Sequence, residues 1–150
     1  MENQKLQCNA AIQISKTRHE VFEAIVDPEG MSNYFIANSN GRMEEGKNLI
    51  WHFPEMDTDV PVKVGKVETD KLVSFYWGED GKELLVEIVL ETFQDATVVK
   101  VSEKEMDNDE AGIAWVKGNT EGWANFLACL KAYLEYGINL RKGAFGWRFQ

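Results

Sequence analysis

The chain has 150 residues, a net charge of −9 and a sequence pI near 4.7, which excludes nucleic acid and anionic membrane surfaces, because both need clustered Lys and Arg. One domain fits this length and two would be cramped, and a composition 44% hydrophobic and 11% aromatic builds a core without cross-links. Five Trp and eight Phe fill that core or line a ligand pocket, and composition does not separate the two.

Leu6, Cys8, Ala10, Ile12 and Ile14 alternate with Gln7, Asn9, Ala11 and Gln13, a period of two with one apolar face, which predicts a half-buried strand. Thr17 and Glu20 have capping-box spacing at the start of a helix whose stripe is Val21, Phe22 and Ile25. Asp27 and Pro28 predict a second, short helix from Glu29 to about Tyr34, with Asp27 as cap and Pro28 in the first turn.

The middle of the chain reads as strands around Leu49–Phe53, Val60–Val64, Val73–Trp77, Leu84–Phe93 and Ala96–Val101. Glu79 to Lys82, centred on Asp80-Gly81, is a hairpin signal, and Gln94-Asp95 turns the chain back again. Such short turns imply antiparallel pairing. Ser102 to Glu110 is polar and acidic, so Glu103, Glu105, Asp107, Asp109 and Glu110 are expected in a solvated strand end and loop; the ligand order of a calcium loop is missing. From about Trp115 to Arg141 apolar residues recur at helical spacing (Trp123, Phe126, Leu127, Leu130, Tyr133, Leu134, Ile138), and Gly143 suits the helix end. The tail alternates Phe145, Trp147 and Phe149, and either adds an edge strand or folds back over the core.

Chemical signatures are sparse. Cys8 and Cys129 lie among apolar residues and read as small core fillers. His19 stands beside Glu20 in the first helix, and His52 points opposite to Trp51 and Phe53 in a regular strand, so both are expected at the surface. Glu87, Glu91, Tyr76 and Tyr133 are formal acid-base candidates, but Glu87 and Glu91 share what is most simply the solvent face. Gly41, Gly46 and Gly65 are isolated and suit turns or bulges rather than a phosphate loop. No cofactor or metal is called for. No signal peptide or membrane-spanning apolar run is evident, so a cytoplasmic location is expected.

The order strand, helix pair, antiparallel meander and long C-terminal helix resembles the helix-grip fold of START-like (SRPBCC) proteins. Ile14-Ser-Lys-Thr-Arg-His-Glu-Val-Phe-Glu-Ala-Ile-Val-Asp-Pro-Glu looks like that superfamily's opening strand and first helix. Thr120-Glu-Gly-Trp-Ala-Asn-Phe-Leu-Ala-Cys-Leu-Lys-Ala-Tyr-Leu-Glu is similar to the Gly-Trp…Leu…Leu helix of the subfamily named after the activator of the heat-shock chaperone ATPase. Tyr34-Phe35 departs from the Trp such families often carry there.

The resemblance implies an α+β fold, a curved antiparallel sheet with the long helix packed across it. It also implies a site in the gap between helix and sheet, and a role as small-molecule binder, chaperone-interacting domain or cyclase. Trp51, Phe53, Phe75, Trp77, Trp115, Trp123, Phe126, Leu127 and Leu130 are expected to approach that gap as ligand-binding residues, or else simply to close the core. The leading expectation is a non-catalytic domain for a small apolar or amphipathic ligand. A chaperone or other basic protein partner meeting the acidic surface is the alternative, and a polyketide cyclase-like enzyme comes third.

Overall fold

The computed structural model describes residues 4–78 and 83–149, so the Glu79–Lys82 hairpin signal lies outside the described residues. Strand β1 (Leu6–Ile14) leads into α1 (Arg18–Val26) and α2 (Pro28–Met31). Both helix starts are capped where the spacing predicts: the Glu20 backbone N–H donates to Thr17 Oγ1 at 3.1 Å and the Glu29 N–H to Asp27 Oδ1 at 3.0 Å, while the Glu20 carboxyl meets the Thr17 hydroxyl at 3.4 Å rather than its backbone N–H. Helix α2 stops at Met31, short of Tyr34, and the chain continues in a turn that buries the Tyr34 and Phe35 rings.

A two-residue strand β2 (Asn38–Ser39) precedes β3 (Asn48–His52), β4 (Asp59–Glu68), β5 (Leu72–Trp77), β6 (Leu84–Phe93) and β7 (Ala96–Met106). All pair antiparallel in the order β1-β7-β6-β5-β4-β3-β2, so the first strand lies beside the last at one edge. The inner face carries Leu49, Trp51, Val62, Val64, Phe75, Val86, Ile88, Val99 and Val101, all buried. The outer face carries ion pairs such as Lys104–Glu87 and Lys100–Glu91. Both glutamates are thus on the solvent side, as the alternation indicates.

The acidic segment departs from expectation. Strand β7 continues through Met106, and Glu103 is 1% exposed rather than solvated. Strand phase explains it: Thr97, Val99, Val101 and Glu103 are successive inward positions, opposite inward Val86 in the register. The loop shrinks to residues 107–109. Among the described residues no group of three or more His, Cys, Asp or Glu could hold a metal ion.

Helix α3 (Glu110–Tyr136) starts earlier and ends earlier than periodicity suggests. Its N-cap is Asp109, which accepts from the Gly112 N–H at 2.8 Å. A Cβ on Gly112 would sit 1.9 Å from the Asp107 carbonyl oxygen, so only glycine allows the first turn to approach β7 this closely. Gly137, at φ = +65°, ends the helix, while Gly143 lies in the turn that follows. α3 packs chiefly along β1. Near its end Lys131 Nζ donates to the Gln13 carbonyl at 2.7 Å, and Glu135 accepts from the Ser15 N–H at 2.9 Å. No helix among the described residues is long and apolar enough to cross a membrane. Among the described residues the tail adds no strand; it folds back and closes in a 3-10 turn at Gly146–Phe149.

Candidate functional site

Because α3 lies toward the β1 edge, it does not cover the inner face of β3, β4 and β5 completely. A cavity of about 400 Å³ remains there, within the range of small-molecule sites. Its walls are the rings of Phe35, Phe53, Trp77, Trp123 and Phe145, with Met56 and Val60 from the β3–β4 region. Gly118, Asn119, Gly122 and Asn125 line it from α3, and Arg141 and Arg148 from the tail.

Of the nine ring and leucine positions expected near this gap, Phe53, Trp77 and Trp123 line the cavity. Trp51 and Phe75 form the layer behind: Trp51 meets Trp77 edge-on at 6.0 Å between centroids, and Phe75 meets it at 5.2 Å. Phe126 backs Trp123 at 5.3 Å and Phe35 at 4.8 Å. Leu127 and Leu130 lie in the closed core. Trp115 is half-buried on the first part of α3, one turn before Gly118 and Asn119, and packs against the core without lining the cavity. These edge-to-face contacts fix the wall rings, since such geometry adds attraction beyond burial.

Glu103 holds the wall together from behind. Its Oε1 accepts from Trp123 Nε1 at 2.8 Å and from Asn119 Nδ2 at 2.9 Å, and its Oε2 accepts from Trp77 Nε1 at 2.8 Å. All three donors belong to residues that line the cavity. One carboxylate, which only accepts, thereby ties α3 to β5 across β7. Glu103 makes no ion pair among the described residues, so neutral N–H groups balance its burial. The strand phase shared with Val99 and Val101 could have located it.

Gly118 and Gly122 stand one helical turn apart on the cavity wall. A Cβ on either would meet nothing within 4 Å. Mid-helix glycine costs about 1 kcal/mol relative to alanine, and nothing here sterically demands it. Their absent side chains keep the space open. The visible signal is a glycine pair at helical spacing interrupting an otherwise apolar face.

The tail supplies the remaining wall. Arg141 Nη2 and Nε donate to Glu55 Oε1 and Oε2 at 2.6 and 3.3 Å. Its guanidinium lies over Phe35, Phe53 and Phe145, with 5.1–5.7 Å to each centroid. Arg148 pairs with Glu121 at 3.0 Å and lies over Phe145 and Trp147. The alternating rings of the tail offer a fold-back as one of two outcomes, but the places of Arg141 and Arg148 have no sequence signal.

The acid-base candidates lie elsewhere. His19 Nδ1 meets Asp70 at 3.0 Å, and His52 Nδ1 meets Asp59 at 3.2 Å on the sheet's outer side. Tyr76 is exposed. Tyr133 stacks on Tyr34, whose buried hydroxyl donates to the Ala24 carbonyl at 2.9 Å. Burial pushes the Tyr34 phenol well above its ordinary pKa and raises the thiols of buried Cys8 and Cys129.

Comparison with known proteins then places the fold. A family model described as Activator of Hsp90 ATPase homolog 1-like protein matches residues 16–135. The crystal structure of SSP2350 from Staphylococcus saprophyticus superimposes with a TM-score of 0.81 at 32% identity, covering 91% of this chain and 96% of that one. The solution structure of the Aha1 dimer from Colwellia psychrerythraea gives 0.76 at 20% identity, covering 88% and 98%. DynU16, from the dynemicin biosynthetic locus, gives 0.79 at 24% identity, covering 88% of this chain and 48% of that one. The last two likenesses concern the fold alone. No curated protein matches the sequence.

Proposed function

The chain belongs to the Activator of Hsp90 ATPase homolog 1-like protein family, and from that premise we propose that it binds a small apolar or amphipathic molecule in the ring-lined cavity without transforming it. The observation that carries this reading is the Gly118–Gly122 pair facing open space in a cavity that five aromatic rings also line. A cavity that served packing alone would be filled there by alanine or larger residues, with a gain in helix stability. Binding rather than catalysis is supported by Glu103, whose two oxygens already accept three wall donors, and by both histidines lying outside the cavity lining.

The test is thermal denaturation with a panel of lipids and aromatic compounds. A ligand at a hundred times its Kd adds about 2.7 kcal/mol to stability and raises the Tm by several degrees. Gly122→Leu fills the open space and should abolish the shift without lowering the melting temperature of the free protein. Wild-type protein unmoved by every compound class, or a shift retained in Gly122→Leu, would refute the reading.

A second reading is regulation of a cytoplasmic Hsp90-class chaperone, favoured by the family description and by the net charge of −9. An acidic face meeting a basic patch predicts binding that weakens as salt rises. Titration against such a chaperone at two ionic strengths tests it, and no binding at low salt would remove it.

A further inference from the structure

We infer that the cavity selects ligands carrying an anionic oxygen group, a carboxylate or sulfonate on a flat apolar frame, and that the residues after α3 make that selection. The inference rests on the reading of the cavity as a ligand site and specifies its chemistry.

The chain as a whole is acidic, yet the cavity lining reverses that sign. Two guanidiniums border it, those of Arg141 and Arg148, and among the described residues no carboxylate does. Glu55 and Glu121 pair with these arginines from outside the lining, and Glu103 lies behind the wall. Arg141 is the fixed element. Its side chain is 15% exposed, held by Glu55 and wedged among three rings, so its orientation is set before any ligand arrives. A guanidinium has five N–H donors, and Glu55 engages only Nε and Nη2. The Nη1 pair makes no hydrogen bond among the described residues and remains for an acceptor.

Arg148 is the adjustable element. Its partner Glu121 is 65% exposed, a kind of pair worth little, so the guanidinium can leave it for a ligand at small cost. Phe145, under both guanidiniums, joins them to the apolar wall. Asn125, on the facing stretch of α3, also lines the cavity and adds a neutral amide. Rings for a flat body and two cations beside them together call for an anionic amphiphile. The matched family region ends at residue 135, before Arg141, Phe145 and Arg148, so this preference belongs to a part of the chain that the family model does not span.

The experiment uses the full chain and two probes with one ring system, 8-anilinonaphthalene-1-sulfonate and uncharged N-phenyl-1-naphthylamine, with affinities read from tryptophan quenching. The sulfonate should bind about tenfold more tightly, the equivalent of one charge-assisted hydrogen bond. Arg148→Gln, which removes an exposed ion pair and the guanidinium over Phe145 and Trp147, should bring the ratio down to about threefold or less, and the wild-type ratio should fall as salt rises. Equal affinities in the wild type, or a ratio unchanged in both Arg148→Gln and Arg141→Gln, would overturn the inference while the cavity reading stands. Failure of both probes to bind would overturn the cavity reading itself.

Discussion

Glu103→Gln is the sharpest test of how the cavity wall is built. The substitution keeps the size of the side chain and replaces one acceptor oxygen with an NH2 donor. In the native protein both oxygens are engaged, Oε1 by Trp123 and Asn119 and Oε2 by Trp77. Whichever way the new amide turns, its NH2 faces at least one indole N–H, donor against donor. One hydrogen bond to a charged acceptor is lost, about 1.5–3 kcal/mol, and a buried donor is left unpaired. For a domain of this size that corresponds to a fall in Tm of roughly 4–10 °C. Glu103→Leu leaves all three donors unpaired, at about 1–3 kcal/mol each, and should fall further. Thermal and urea unfolding, followed by circular dichroism, give both values. Two variants within about 0.5 kcal/mol of the wild type would refute the three-donor arrangement.

Gly112→Ala should destabilise by about 1–3 kcal/mol through overpacking, because its Cβ has no room beside the Asp107 carbonyl; a neutral urea midpoint would contradict that close approach. Gly118→Ala, in open space, should instead stabilise by up to about 1 kcal/mol, and a lower melting temperature would mean the site is already filled. The Glu135 carboxyl is held below its ordinary range by the Lys131 side-chain hydrogen bond first and the Ser15 N–H second. A lowered folded pKa contributes stability that is present above the unfolded value, about 4.3, and lost as pH falls through the folded value. Glu135→Gln should therefore be less stable than wild type at pH 7, with the gap closing as acid protonates the folded carboxyl; a gap constant with pH would contradict the assignment.

Much of the architecture was legible because its signals are local. Thr17 and Asp27 announce helix starts by cap chemistry, and the inner-face residues announce strands by their alternation. Boundaries failed where two local signals conflicted. In β7 the acidity of Glu103 suggested solvent, but the inward phase prevailed because indole and amide donors were waiting across the sheet, while Glu105 is exposed as expected. At the start of α3, Gly112 reads as a loop residue by propensity, and only the neighbouring backbone of Asp107 explains it. The rings of the site were visible, but not which of them face open space. That depends on the offset of α3 toward β1 and on where Arg141 and Phe145 land, and both are tertiary facts without sequence period.

The central claim, that the cavity beside α3 is a ligand site, is tested most directly by the indole N–H signals of the protein in a 1H–15N spectrum titrated with N-phenyl-1-naphthylamine and its sulfonate. Trp77 and Trp123, which line the cavity, should shift progressively and saturate, by more than exposed Trp147, which does not line it. Stationary Trp77 and Trp123 signals at saturating concentrations of both probes would contradict the account.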